Sequence, residues 1–198
     1  MRAIVLTADQ RSSRSSADAV PDVLARLARR PSFRAFQRTA GDEIQGVLTA
    51  PESLAPVLED LMRDGRWHVG LGLGQVETPL PTSTREGRGP AFVAAREAVT
   101  TARTAPWHLR VAGADVVSRH LESTLWLWAA VLDRRTEKGW QVVDLVDQGL
   151  SYEGAGERLG ISQSAVSQRA AAAGLVEGRR ARELVAAWAG QWLAGGDA

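Results

Sequence analysis

Between Trp67 and Gly74 the chain reads Trp-His-Val-Gly-Leu-Gly-Leu-Gly, so Gly70, Gly72 and Gly74 alternate with Val69, Leu71 and Leu73. Successive side chains of a strand point to opposite faces, which gives this segment one aliphatic face and one face of bare backbone. Glycine weakens a strand. Three of them on one face call for something that comes closer than a Cβ permits: a helix, another backbone or a ligand. Whichever it is, the segment commits the chain to a sheet built around this strand.

The flanking sequence supplies the rest of such a sheet. Residues 3–8 are a short apolar run that reads as a buried strand, and Asp9 then opens the polar loop Gln10-Arg11-Ser12-Ser13-Arg14-Ser15-Ser16. Val20, Val23, Leu24 and Leu27 share one helical face, with Pro21 near the first turn. Phe33–Thr39 and Ile44–Thr49 read as two strands joined by Ala40-Gly41-Asp42-Glu43. Leu54, Val57, Leu58, Leu61 and Met62 mark a helix that starts near Pro56, a helix runs from about Pro90 to Arg103, and Trp107–Val111 reads as a last strand. The order β-α-β-β-α-β-α-β predicts an α+β fold with a ferredoxin-like sheet and helices mostly on one side. Beyond residue 113 the strand signals stop. Leu121–Leu132 and Gly139–Gln148 read as helices, and residues 151–194 as helical with one marked turn. Two domains are therefore expected, residues 1–112 and 113–198.

Within the second, residues 151–174 have the spacing of a helix-turn-helix. Ala155 and Gly156 are small where a second helix must cross, Gly160 supplies the positive φ of a turn, and Leu159, Ile161 and Val166 plug the angle between the helices. Ser162 is a natural N-cap. The second helix then presents Gln163, Ser164, Ser167, Gln168 and Arg169. Gln pairs with adenine, Arg with guanine, and Ser with phosphates or base edges, so these residues and Ser162 are the candidate contacts to double-stranded DNA. One such module binds weakly, and a homodimer is expected. Protein contacts through a plain three-helix bundle are the competing use of this segment.

In the first domain, Asp9 ends the first strand and Asp42 tips the hairpin between the second and third. In a ferredoxin-like sheet strands one and three are neighbours, which sets the two carboxylates side by side. A hard cation such as Mg²⁺ takes oxygen ligands and leaves places for phosphate, so the pair is a candidate metal site beside a nucleotide. Arg11, Ser12, Ser13 and Arg14, running toward a helix N-terminus, are candidates for phosphate oxygens, with Gln10 and Gly41 beside them. The competing reading makes Asp9 a helix cap and Asp42 a turn residue.

The strand ending in Asp9, the Gly41-Asp42-Glu43 hairpin, the Gly70-x-Gly72-x-Gly74 strand and the Gly89-Pro-Ala-Phe-Val-Ala-Ala-Arg96 helix stand in the order found in class III nucleotidyl cyclases. Ala40-Gly41-Asp42-Glu43-Ile44 is also similar to the signature hairpin of diguanylate cyclases, with Ala for the first Gly. The whole chain resembles bacterial SatD-family proteins, over about residues 2–111 for a cyclase-like, palm-like domain and 139–175 for a DNA-binding one. The resemblance implies a nucleotide site with Asp9 and Asp42 as metal ligands and Arg96 as the matching arginine. Phe92 and Val93 stand where those cyclases carry an asparagine, and no base-selecting Lys/Asp pair is recognisable, since Lys138 lies in the other domain. A site lacking aimed donors binds without turnover, so a nucleotide sensor is favoured over an active cyclase or other phosphotransfer enzyme. A protein-binding scaffold is the third reading.

Composition narrows the field. The net charge of +1 argues against bulk attraction of polyanions, although residues 1–40 carry Arg in excess over Asp9, Asp18 and Asp22. Lys138 is the only lysine among 24 basic residues. Without cysteine there are no disulfides, thiolate metal sites or Cys nucleophiles. The longest apolar run, Leu125–Leu132, falls far short of the ~20 residues that span a bilayer. Met1–Leu6 is too short for a secretory segment. A cytoplasmic protein without a membrane partner is expected.

Overall fold

The computed structural model describes residues 1–195. Among these, a five-stranded mixed sheet combines with eight α-helices, in the order β1 (Arg2–Gln10), α1 (Val20–Leu27), β2 (Arg34–Arg38), β3 (Glu43–Leu48), α2 (Leu54–Asp64), β4 (Trp67–Gln75), α3 (Pro90–Ala102), β5 (Leu109–Ala112), α4 (Val116–Asp133), α5 (Glu137–Asp147), α6 (Tyr152–Leu159), α7 (Gln163–Ala172) and α8 (Leu175–Ala194). The strands lie β2-β3-β1-β4-β5. Every neighbouring pair is antiparallel except β4 and β5, which are parallel.

β1 is central because its run Ala3–Leu6 can be buried on both sides, and all four residues are fully enclosed. Ile4, Leu6 and Ala8, with Ile44, Leu48 and Leu71, face a core closed by α1, α2, α4 and α8. Ala3, Val5 and Val47 face α3 on the other side. The glycine stripe of β4 belongs to that second face. An ideal Cβ on Gly70 would lie 2.2 Å from the amide nitrogen of Val99, one on Gly72 2.1 Å from the carbonyl oxygen of Ala91, and one on Gly74 2.6 Å from the amide nitrogen of Ala91. The close approach is that of a helix, with Ala91 and Ala95 meeting the bare backbone.

The helices packed on the sheet thus lie mostly on one side, as the order of elements predicts, with α3 as the exception. β3, β4 and β5 run parallel to one another and step in one direction across the sheet, yet α2 and α3 cover opposite faces. The crossovers β3-α2-β4 and β4-α3-β5 therefore have opposite hands, against the usual uniformity of such connections. The face beneath α2 is filled by α4 and α8, and the stripe of glycines gives α3 a seat on the other.

Boundaries differ in three places. Pro106–His108 form a 3₁₀ turn in which Trp107 and His108 have φ of 57° and 52°, so β5 starts at Leu109 rather than Trp107. α4 starts at Val116 because Asp115 caps it, its Oδ1 accepting from the Ser118 amide at 3.0 Å. Residues 151–194 break twice rather than once, the second time at Gly174, which has φ 60° and heads α8. The sheet ends at Ala112, but the core continues past it: Leu121, Leu125, Trp128, Val185 and Trp192 share the cluster of Ile4 and Leu6. α5, α6 and α7 enclose a smaller core of their own around Val142, Ala155, Val166 and Ala170.

Candidate functional site

At the C-terminal end of β1, Asp9 pairs in register with Glu43, and the Gln10 amide donates to the Asp42 carbonyl at 3.1 Å. The β1–β3 pairing thus carries Asp9 to the β2–β3 turn. A cleft of about 910 Å³ opens there, lined by Asp9, Gln10, Ser12, Ser13, Arg14, Gly41 and Asp42 together with Asp18, Arg38, His68 and Arg103. Seven of the residues singled out from the sequence converge.

Their roles differ. Gln10 is 3% exposed and its amide holds the loop: Nε2 donates to Ser16 Oγ (3.0 Å) and the Ala17 carbonyl (2.7 Å), while Oε1 accepts from the Ala19 amide (2.8 Å). It positions the loop and has no donor left for a ligand. Ser12 has φ 55°, and its carbonyl accepts from the amides of Ser15 and Ser16, which folds the loop into a tight hook. Arg11 turns away from the cleft to donate to the Gly65 carbonyl at 3.0 Å. Arg96 lies outside too, paired with Glu43 at 3.4 Å. The loop does not deliver a free helix N-terminus, because Asp18 Oδ1 accepts from the Val20 amide at 3.0 Å and occupies the start of α1. Ser12, Ser13 and Arg14 are thus the groups left to meet an anion.

Burial, and then the neighbouring Asp42, push the Asp9 carboxyl above its ordinary value, while Arg103 opposes them with an ion pair of 2.9 Å. A carboxyl whose charged form is made costly by burial and by a neighbouring aspartate favours the approach of a cation. Among the described residues no group of three His, Asp or Glu side chains converges there. Mg²⁺ is held in many sites by one or two carboxylates plus water and phosphate, and Asp9 and Asp42 are the residues that could hold such an ion here. His68, the register partner of Asp9 on β4, is lowered to about 4 by burial and by His108, whose ring centroid lies 5.0 Å away. It is a neutral wall of the cleft at pH 7.

Sequence reasoning missed Arg103, Arg38 and His68. Arg103 follows Arg96 by two turns of α3 and His68 precedes Gly70 on one face of β4, so periodicity offered a signal for both.

The second predicted cluster lies on α6 and α7. Gly160 takes φ 65° and ψ 35° between them, and an ideal Cβ on Gly156 would meet the Ile161 carbonyl at 2.7 Å. Ser162 caps α7, its Oγ accepting from the Ala165 amide at 3.2 Å. Gln163, Ser164, Ser167 and Gln168 are exposed and Arg169 is half-buried, while Val166 and Ala170 face inward. Among the described residues, the side chains of Gln163, Ser164, Ser167, Gln168 and Arg169 are without hydrogen-bond partners. Alanine at 170 and 173 suits close packing against α5, where an ideal Cβ on Gly139 would lie 3.1 Å from that of Ala173.

Polar contacts along α2 and at its end lie between the two clusters. Arg11 reaches Gly65 and Arg66 at the end of α2. Nearly two turns earlier on α2, Glu59 pairs with Arg135 (3.2 Å) and Arg182 (2.7 Å). Arg135 in turn donates to the carbonyls of Ala173 (2.7 Å) and Gly174 (3.3 Å) at the end of α7.

No helix is long and apolar enough to cross a membrane among the described residues. Compared with protein-family models, with curated proteins and with solved structures, the chain gives no significant match.

Proposed function

We propose that this protein is a nucleotide-responsive, DNA-binding transcription regulator. In this reading strands β2-β3-β1-β4, with antiparallel neighbours, form a ferredoxin-like, cyclase-like sheet of the SatD type, and α6–α7 form a helix-turn-helix. The observation that carries it is the exposed, unpartnered polar end of α7 behind the Ser162 cap, seated on α6 across the Gly160 turn. A Mg²⁺–nucleotide in the Asp9/Asp42 cleft is the ligand, with Ser12, Ser13 and Arg14 on its phosphates. Two copies of the cytoplasmic chain present two α7 helices to DNA. Ligand acts by population shift: it orders the loop after β1, and the Arg11–α2–Glu59–Arg135 chain of contacts carries that to the end of α7.

Two experiments test the halves separately. For DNA, replacing Gln163 or Arg169 with alanine is expected to cost about 1–3 kcal/mol of specific affinity and to relax preference at one position. Selection of sites from random DNA, followed by titration, reads this out. Wild-type preference in both variants would remove α7 from the interface. For the nucleotide, thermal unfolding against a panel of nucleotides with and without Mg²⁺ is expected to show a Mg²⁺-dependent rise. At 100 times the dissociation constant the gain is about 2.7 kcal/mol, or roughly 5–10 °C at this size. Asp42→Ala is expected to abolish it, and a rise that survives that change would place the ligand elsewhere.

Turnover is the second reading, favoured by the Arg103 guanidinium 2.9 Å from Asp9, a donor of the kind that developing phosphoryl charge needs. Metal-dependent product formation from ATP or GTP that is lost in Asp9→Ala would establish it.

A further inference from the structure

A second concavity lies on the other side of the Arg96–Glu43 pair, between α3 and the 3₁₀ turn Thr84–Glu86, and it shares no lining residue with the Asp9/Asp42 cleft. Its volume is about 640 Å³, within the ~300–1,000 Å³ typical of small-molecule sites. Phe92 and Val93 supply its apolar wall, beside Gln45, Thr100 and Thr101. Phe92 is held against the backbone of Gly87, where an ideal Cβ would lie 2.1 Å from the ring Cζ, so that side of the groove is rigid. Val93, one position on, is 68% exposed, an unsupported aliphatic on a helix whose neighbours Arg96 and Glu97 are polar.

The rim is cationic. Arg85, Arg88 and Arg96 all line the groove, against the single carboxylate of Glu97. Arg96 is shared with Glu43. Among the described residues, the Arg85 and Arg88 side chains make neither ion pairs nor hydrogen bonds. Their backbone is nonetheless anchored: in the Arg85 turn Thr84 is 1% exposed, its amide donating to Gln37 Oε1 at 3.0 Å and its hydroxyl to the Gln45 carbonyl at 3.4 Å, and the Arg88 carbonyl accepts from the Glu77 amide at 2.9 Å. Unpaired guanidiniums on an anchored backbone over an apolar wall are arranged for a molecule with an apolar body and an anionic end. The modest excess of positive charge and the apolar wall suit one negative charge better than a polyphosphate.

We infer that this groove binds a small amphipathic monoanion, an aromatic or aliphatic body bearing one carboxylate or sulfonate. The body lies on Phe92 and Val93, and the anion is forked by Arg85 and Arg88. The site is distinct from the nucleotide cleft and would give the protein a second effector input.

The test is a fluorescence titration of the full chain with anilinonaphthalene sulfonate, with decanoate as competitor. One saturable class of sites, displaced by decanoate, is expected. The double variant Arg85→Ala/Arg88→Ala is expected to bind about tenfold more weakly or worse. Val93 is exposed, so both of its variants should melt like the parent. Val93→Glu is expected to lose binding, while Val93→Lys, of similar length and opposite charge, retains most of it. Absence of saturable binding, an affinity unchanged in the double arginine variant, or equal loss in the two Val93 variants would each overturn the assignment.

Discussion

Replacing Gly72 with alanine is expected to destabilise the fold by about 3 kcal/mol or more, lowering the melting temperature by roughly 6–12 °C. The new Cβ would stand 2.1 Å from the Ala91 carbonyl oxygen and 2.3 Å from the Ala95 amide nitrogen. Both are backbone atoms of α3, which cannot step aside one at a time, so the helix must lift as a body. Lifting it loosens Ala91 and Ala95 from Ala3, Val5 and Val47, and draws the Arg103 end of the helix away from Asp9. The cleft therefore changes along with stability, and a nucleotide response, where present, weakens in the same variant. Gly41→Ala is the control. Gly41 has φ +55° but nothing within 4 Å of an ideal Cβ, so only backbone strain of about 1–2 kcal/mol opposes the change. Equilibrium unfolding of the two variants measures the difference. A Gly72→Ala protein as stable as Gly41→Ala would mean that α3 does not sit on β4 as described.

The same residues show what a sequence can carry. A run of alternating glycines announces that something approaches, since the missing Cβ is a local fact. It does not say from which element, because the partner, Ala91 and Ala95, is defined by packing between distant segments. The central position of β1 was legible in its unbroken apolar run, and the meeting of Asp9 with the Gly41–Asp42 turn followed from the pairing of strands one and three. The face taken by α3 was not legible. A rule of handedness predicts that face from topology, and here the occupied face beneath α2 outweighs it.

Side-chain direction was the weakest inference in the cleft. Arg11 and Arg96 bear the right charge in the right stretch, yet each is drawn off by a nearer acceptor, the Gly65 carbonyl for one and Glu43 for the other. Gln10 looked like a ligand contact because it is polar beside Asp9, and its burial turns it into the clasp of the loop. Polar type and position are written in the sequence. Which partner a flexible guanidinium reaches depends on distances set by the finished fold. In α6–α7 the inference was stronger because the cap and the turn glycine are local, each satisfied within a few residues of its own backbone, while the apolar plugs reach Val142 and Val143 of α5.

Glu59→Ala is expected to destabilise the protein by about 3–5 kcal/mol, the range for breaking a buried ion pair from one side. The Arg135 side chain has 0% exposure and reaches Glu59 at 3.2 Å. Burial lowers the Arg135 guanidinium from its ordinary value and Glu59 opposes that shift. Without Glu59 the cation keeps the carbonyls of Ala173 and Gly174, the face of Trp140, 4.6 Å from the ring centroid, and the more distant charge of Asp147, but no paired carboxylate. Arg182 loses the same partner and retains Asp147 at 2.7 Å. Arg180 and Glu183, 76% and 63% exposed, form the comparison: removing that pair is expected to change stability by less than about 0.5 kcal/mol, because water screens it. Denaturant unfolding of Glu59→Ala and Glu183→Ala reads the contrast, and similar losses in both would mean that the Glu59–Arg135 pair is as well solvated as a surface pair. The location of Glu59 makes the variant informative about coupling as well. It joins α2, whose far end is touched by the loop after β1, to the carbonyls that close α7. If ligand in the cleft reaches DNA through this chain of contacts, Glu59→Gln, which keeps the shape and removes the charge, should retain nucleotide binding and DNA binding individually and lose the influence of one on the other. Full coupling in that variant would route the signal elsewhere.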